Sequence, residues 1–423
     1  MELKRERIKL GNGIYLNAIK TDKFKSSLLS WYFIRPLNRD EVTKNALIPL
    51  VLKRGTKDFP NSLEIQKKLE ELYGSNLSVS INKRGDRQVL RFTMEWANGN
   101  YLGDEDYNFQ TIEMLKAIIY EPLKVEGCFK AEYVAGEKEV LRRRIQSKIN
   151  DKRSYAIERC IEEMCKKEKF SISTLGYIED LDEINEENLY EQYKTLLDTS
   201  PIEVFYVGNY DEEFIEYLKT SIAIERQEIV QIPRTKIIQS VQTKKMINED
   251  FDINQGKLVI GYRAGIPYDD KLYNGLIVAS DILGGGPNSK LFKHVREEAS
   301  LAYYIGTKVY KYNSIMLIDS GIEFENFQKT IEIIRKQIAD MKEGNFTEAD
   351  MDVSKKSIRT STESIKDNIF LISEFFFSQS LSDDNRTLEK LIQDFEAVTK
   401  EEIMEASEKI VPDTIYFMKN KMK

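Results

Sequence analysis

The sequence predicts an α+β protein made of two homologous domains, each a mainly antiparallel sheet with helices packed against it, joined by a linker. Three observations carry this. The chain is 423 residues long and 41% hydrophobic, too long for one compact core and apolar enough for two. One order of elements occurs twice. A strand over 26–35, Pro36 and the pair Asp40-Glu41 lead to a helix through Ala46, Leu47, Leu50 and Leu52. A strand over 258–263, Pro267 and Asp269-Asp270 lead to a helix over 272–283. The ends of the halves also match: 184–187 opens a helix followed by a strand over 204–209, and 398–402 opens a helix followed by a strand over 415–420, with Thr399 and Glu402 as a capping box. The domains are placed at 1–222 and 251–423. The polar stretch 223–250, with Pro233 and no helical period, is placed as the linker.

Within the first half, 5–20 reads as a hairpin about Gly11-Asn12-Gly13. Asn61 or Ser62 caps a helix over 63–72 that Tyr73-Gly74 ends, and strands over 77–82 and 88–96 form a meander across Gly85. Helical pattern in three pieces fills 109–167, followed by a helix over 186–197 and a strand over 203–207. In the second half, Gly284-Gly285-Gly286 closes a helix, Asn288 and Ser289 can cap the next one over 290–298, and 301–310 is a strand entered directly from it.

Composition excludes several functions. Lys and Arg total 63 against 70 Asp and Glu, a net charge of -7, so no broad nucleic-acid surface is implied. Arg142, Arg143 and Arg144 form the solvated face of a helix whose apolar stripe is Leu141, Ile145 and Ile149. The charged start MELKRERIKL lacks a signal-peptide core and no run of 18 apolar residues occurs, which predicts a cytoplasmic protein without membrane insertion. Cys128, Cys160 and Cys165 fit neither a zinc ribbon nor a redox pair and are read as reduced thiols. The single histidine, His294, lies on an amphipathic helix and supports neither a nucleophilic triad nor a catalytic zinc site, which usually takes two imidazoles. Gly284-Gly285-Gly286 lacks the lysine and spacing of a phosphate loop. Asp182-Glu183 and Asp383-Asp384 show no ordered ligand loop and read as caps and solvated loops.

Two residues stand out at the helix-to-strand junction, Arg296 and Tyr303, seven apart. Taken alone they are a surface ion-pair former and a half-buried aromatic. Their surroundings run Gly284-Gly285-Gly286, Ser289, Leu291-Phe292, Val295-Arg296 and Leu301-Ala302-Tyr303, while the first half holds the turn Arg54-Gly55-Thr56. With these motifs the chain resembles, over nearly its whole length, the pitrilysin-type zinc metallopeptidases. The resemblance implies an early helix with an inverted zinc motif, H-x-x-E-H, shortly before the Gly-Thr turn. Those positions fall here on Ala46, Pro49 and Leu50, and the third ligand, aligned on Glu137, falls on Arg144. The resemblance therefore implies no metal bound by this chain. Pro49 adds the expectation of a kinked or interrupted helix.

By the same resemblance, Arg296 and Tyr303 are the catalytic and substrate-binding residues, holding a peptide backbone beside a zinc ion of the opposite half. In the short bacterial heterodimeric branch, zinc and the Arg-Tyr pair lie on different subunits. The implied partner is a zinc-bearing homologous subunit, with a peptide as substrate. The alternative is a non-catalytic scaffold or peptide-binding protein of the same descent.

Overall fold

The computed structural model describes every residue except 1–2, 105, 227, 240, 242 and 422–423. β1 (Arg5–Gly11) and β2 (Ile14–Lys20) form the expected hairpin, with Gly13 at a φ of 67° that its missing Cβ permits. β3 (Ser26–Pro36) is buried from Ser27 to Arg35. Leu29, Trp31 and Phe33 enter one core, and Leu28, Tyr32 and Ile34 enter another. A strand covered on both faces has no polar side to show, so its sequence lacks alternation.

α1 (Val42–Leu52) and α2 (Ser62–Glu71) follow, the second capped by Asn61, whose side chain accepts from the Leu63 and Glu64 amides. β4 (Asn76–Arg84) and β5 (Arg87–Ala97) make the meander, and α3 (Asp106–Tyr120), α4 (Ala131–Ser147) and α5 (Lys152–Met164) are the three helical pieces. α6 (Glu186–Thr199), opened by a capping box of Asn185 and Asn188, leads through β6 (Ile202–Gly208) to α7 (Glu212–Ile222).

The second half repeats the plan: β7 (Lys245–Phe251), β8 (Gly256–Arg263), α8 (Tyr273–Gly284), a π-helical turn (Phe292–Glu298), β9 (Ala302–Tyr310) and β10 (Ile315–Ile322). Then come α9 (Phe327–Glu343), α10 (Glu348–Glu363), α11 (Ile369–Ser380), α12 (Leu388–Glu396), α13 (Lys400–Glu408) and β11 (Val411–Asn420). The Thr399 and Glu402 capping box opens α13.

The first sheet runs β1-β2-β6-β3-β5-β4 and the second β7-β11-β8-β10-β9. Apart from β1 the orders are identical. In both, the first two shared strands pair in parallel, β2 with β6 and β7 with β11, and the other neighbours are antiparallel.

Two compact units result, but their boundaries depart from the division at 1–222, 223–250 and 251–423. One unit is Met1–Gln146, Ile172–Pro233 and Ile365–Thr387; the other is Ser147–Ser171, Arg234–Ser364 and Leu388–Lys423. Part of the stretch read as linker, 245–251, is β7. Each unit also takes a helix from the other half of the chain.

In the first unit, Ile369, Ile372, Phe376 and Phe377 of α11 pack on Leu28, Tyr32, Ile34 and Phe205. The Tyr32 ring stacks on Phe377 at 4.0 Å. Glu374 accepts from Tyr32 at 2.9 Å, Arg84 at 2.8 Å and Arg91 at 2.7 Å. In the second unit, Ala156, Cys160, Ile161 and Met164 of α5 cover Val259, Leu317 and Tyr416. The approach is close: a Cβ on Gly261 would lie 2.5 Å from the Met164 sulfur. Local periodicity reports that a helix has an apolar face, not which sheet receives it. All three cysteines are free, and among the described residues no helix is long and apolar enough to cross a membrane.

Candidate functional site

α1 carries the positions of the inverted zinc motif. All its residues except Lys44 are buried, Ala46, Pro49 and Leu50 among them. Of the kink or interruption expected at Pro49, the interruption is not found: the helix continues through it. Proline removes one backbone donor, yet the segment is fixed from outside. The Gln88 amide donates to the Val42 carbonyl at 3.0 Å, the Asn45 amide donates to Gln88 at 3.0 Å, and the Gln192 amide donates to Asn45 at 2.9 Å. Burial and side-chain hydrogen bonds outweigh the local propensity.

The turn after α1 is formed as expected. The Thr56 amide donates to the Phe59 carbonyl at 2.8 Å and the Phe59 amide to the Thr56 hydroxyl at 3.0 Å. Any side chain at Gly55 would strike the Pro60 carbonyl, 2.5 Å from the Cβ position. Beside this turn lie Lys53, Arg54, Glu137 and Arg144. Arg54 donates to Glu137 at 3.4 Å and sits over the Tyr133 ring at 5.0 Å, while its Nε is buried without a partner. Burial, then the Arg144 charge, holds the Lys53 ammonium below the ordinary lysine range, with Glu137 opposing. Burial raises the Glu137 carboxyl above its ordinary range against the pull of Arg54, Arg144 and Lys53.

Three cations thus share one carboxylate beside this turn. A divalent ion there would meet like charges. Among the described residues no group of three or more His, Cys, Asp or Glu side chains could hold a metal. Lys53 and Arg54 were not singled out as charges from sequence, though their position directly before Gly55 was the available signal.

The junction in the second unit is differently built. α8 ends at Gly284, where a Cβ would lie 2.9 Å from the Thr307 amide nitrogen of β9. The Thr307 hydroxyl donates to the Ser280 carbonyl at 2.7 Å, and the Ser280 hydroxyl donates back at 3.0 Å. The glycine run therefore permits a close helix-strand approach. The hollow beside it, about 100 Å³, is lined by Asp281 and Asp350, carboxylates unsuited to phosphate. Burial raises Asp281 above the usual carboxylate range.

The next helix is wound as a π-helix over Phe292–Glu298, an uncommon form that concentrates at functional sites. Ser300 then turns the chain into β9 with a φ of 53°, a left-handed conformation unusual for a residue with a Cβ. Arg296 is on the π-helix and exposed, its guanidinium 4.6 Å from the Phe292 ring centroid. Tyr303 is 64% exposed, more than the half-buried aromatic expected of an ordinary residue there. The two flank the junction without a hydrogen bond or ring contact between them, and neither side chain has a hydrogen-bonding partner among the described residues. Both are donors open to solvent. His294 is partly exposed, its Nδ1 2.7 Å from Glu298.

Fold and site together define a class: a duplicated α+β peptidase-type scaffold whose zinc-motif positions carry no metal-binding side chain. The comparisons with known proteins agree. Residues 183–358 match the family described as peptidase M16 inactive domain. Over 413 residues the chain is 37% identical to the probable inactive metalloprotease YmfF of Bacillus subtilis (strain 168), covering 96% of each. It is 27% identical over 159 residues to the uncharacterized zinc protease YmxG of the same organism, covering 36% of this chain and 38% of that one. A crystal structure of a conserved protein from Enterococcus faecalis V583 superposes with a TM-score of 0.91 at 26% identity, covering 99% of each chain. The chain belongs to the pitrilysin-type M16 metallopeptidase family and lacks its zinc motif.

Proposed function

We propose that this chain is the non-zinc subunit of a heterodimeric, cytoplasmic zinc metallopeptidase, contributing Arg296 and Tyr303 in trans to peptide binding and hydrolysis at the zinc of a homologous partner. The observation that carries the reading is the exposed, unpartnered Arg296 and Tyr303 in a chain whose metal positions are Ala46, Pro49, Leu50 and Arg144. A carbonyl developing negative charge is stabilised by a fixed guanidinium and a phenol, and these donors need not share a chain with the metal. Division between subunits makes assembly a condition of activity.

The test is peptide cleavage by each chain alone and by the two mixed. Activity confined to the mixture and reduced by Arg296→Ala supports the proposal. Cleavage by this chain alone, or a mixture indifferent to Arg296→Ala, sinks it. A second reading, a non-catalytic scaffold or peptide-binding protein, is favoured by the matched relative being named a probable inactive metalloprotease. Elemental analysis of the complex purified with its natural partner separates the two: about one zinc per heterodimer for the first, none for the second.

A further inference from the structure

A cavity of about 220 Å³ opens within the second unit between α9 and the ends of β8 and β11. Its walls are apolar, with Ile260, Ile331, Ile338 and Ile415 among them, and Lys244, Arg335 and Lys342 also line it. The equivalent corner of the first unit holds larger side chains. There Trp31, the middle of the inward residues Leu29, Trp31 and Phe33, meets Tyr120 at the end of α3 edge-on at 5.7 Å. Ile222 of α7 is fully buried in the same core. In the second unit the inward residues of the matching strand are Leu258, Ile260 and Tyr262. An isoleucine thus stands where the first unit has an indole, and it lines the cavity.

The charged side chains around this space that no ion pair engages have one sign. Lys244 and Arg335 are exposed and have no ion-pair partner among the described residues. Lys342 donates to the Ile410 carbonyl at 3.0 Å and keeps further donors; burial holds it below the ordinary lysine range, with Glu408 opposing. Asp413 is the one carboxylate on the lining, and it is already engaged by Arg263 at 2.8 Å. Tyr262 is 3% exposed, its hydroxyl has no hydrogen-bond partner among the described residues, and the Arg335 charge reaches it. That hydroxyl is therefore a donor free to meet a ligand in the cavity.

We propose that this cavity binds a medium-chain fatty-acid carboxylate, its tail between α9 and the sheet and its headgroup among Arg335, Lys244, Lys342 and the Tyr262 hydroxyl. At roughly 30 Å³ per water-sized group the space takes about seven such groups, a tail of octanoate length. The occupant is anionic because the unneutralised side chains are cations, and aliphatic because the walls are.

The experiment is calorimetric titration of the full chain with octanoate, butyrate, 1-octanol and N-acetyl-leucine. Octanoate is expected to bind saturably at one site, with butyrate and 1-octanol at least tenfold weaker. Ala339→Trp, at an exposed lining position, is expected to abolish binding, and Arg335→Gln to weaken it about tenfold. Unchanged thermal midpoints confirm that both variants fold. Octanoate binding that is non-saturable, or equal in the parent chain and both variants, overturns the proposal. Tighter binding of N-acetyl-leucine than of octanoate overturns it in favour of a peptide C-terminus.

Discussion

α1 and α8 hold the same place in the two units, each after a central strand, β3 or β8, yet the chain leaves them by different routes. After α1 it enters a tight Gly-Thr turn beside half-buried cations, and every former ligand position is apolar or basic. After α8 it enters a π-helix and a left-handed serine, and two donors are left facing solvent. The duplicated sheets share their strand order, while one copy lacks metal-binding side chains at the zinc-motif positions and the other leaves two donors at its surface. Function in this scaffold resides where the copies diverge.

The sharpest way to break that contrast is to restore the metal site. Ala46→His, Pro49→Glu and Leu50→His together are expected to bind no zinc by elemental analysis, because Arg144 and its neighbours still oppose a divalent ion. Adding Arg144→Glu is expected to bring metal in. Zinc bound by the triple variant alone would show that the cations are incidental.

Next in size is the exchanged helix. Phe377, 1% exposed and stacked on Tyr32, is expected to cost about 3–5 kcal/mol on Phe377→Ala in denaturant unfolding. Leu371→Ala, on the same helix at 40% exposure, is expected to cost much less. Equal effects would mean that α11 is not part of the first unit's core.

For the proposed heterodimer, Arg296→Ala is expected to lower kcat by about 10²–10³-fold, as loss of an oxyanion donor does. Arg54→Ala, at the vestigial site, is expected to leave it nearly unchanged. The smallest effect concerns Lys53. Its folded pKa is below the unfolded value, so the unfolded chain binds that proton more readily and stability rises with pH across the interval. Lys53→Met is expected to raise the thermal midpoint at neutral pH, with the gain fading toward the ordinary lysine range. A gain constant with pH would assign the effect to packing.

Much of the architecture was legible. The repeated strand, proline, acidic pair and helix located both copies of the fold, and Thr399 with Glu402 marked a real helix start. The pairing of Arg296 and Tyr303 with a helix-strand junction was also readable. Three features were not. Leu291 and Val295 are spaced as in an α-helix, so the π winding leaves no trace in their period. Pro49 signalled a kink or an interruption, and tertiary hydrogen bonds hold the helix continuous through it. The apolar faces of α5 and α11 are clear in sequence, but their receiving sheets lie far along the chain, and contact between distant segments has no local signature.

The exchange of α5 and α11 also has a consequence for synthesis. The first sheet is complete in sequence at Gly208, yet the helix covering its second face ends only at Ser380, about 170 residues later. At roughly 5–20 residues per second, the faces of Leu28, Tyr32, Ile34 and Phe205 wait some 10–30 s on the ribosome without their cover. A nascent chain of this design calls for a holding chaperone during that interval, and its first half expressed alone is expected to aggregate.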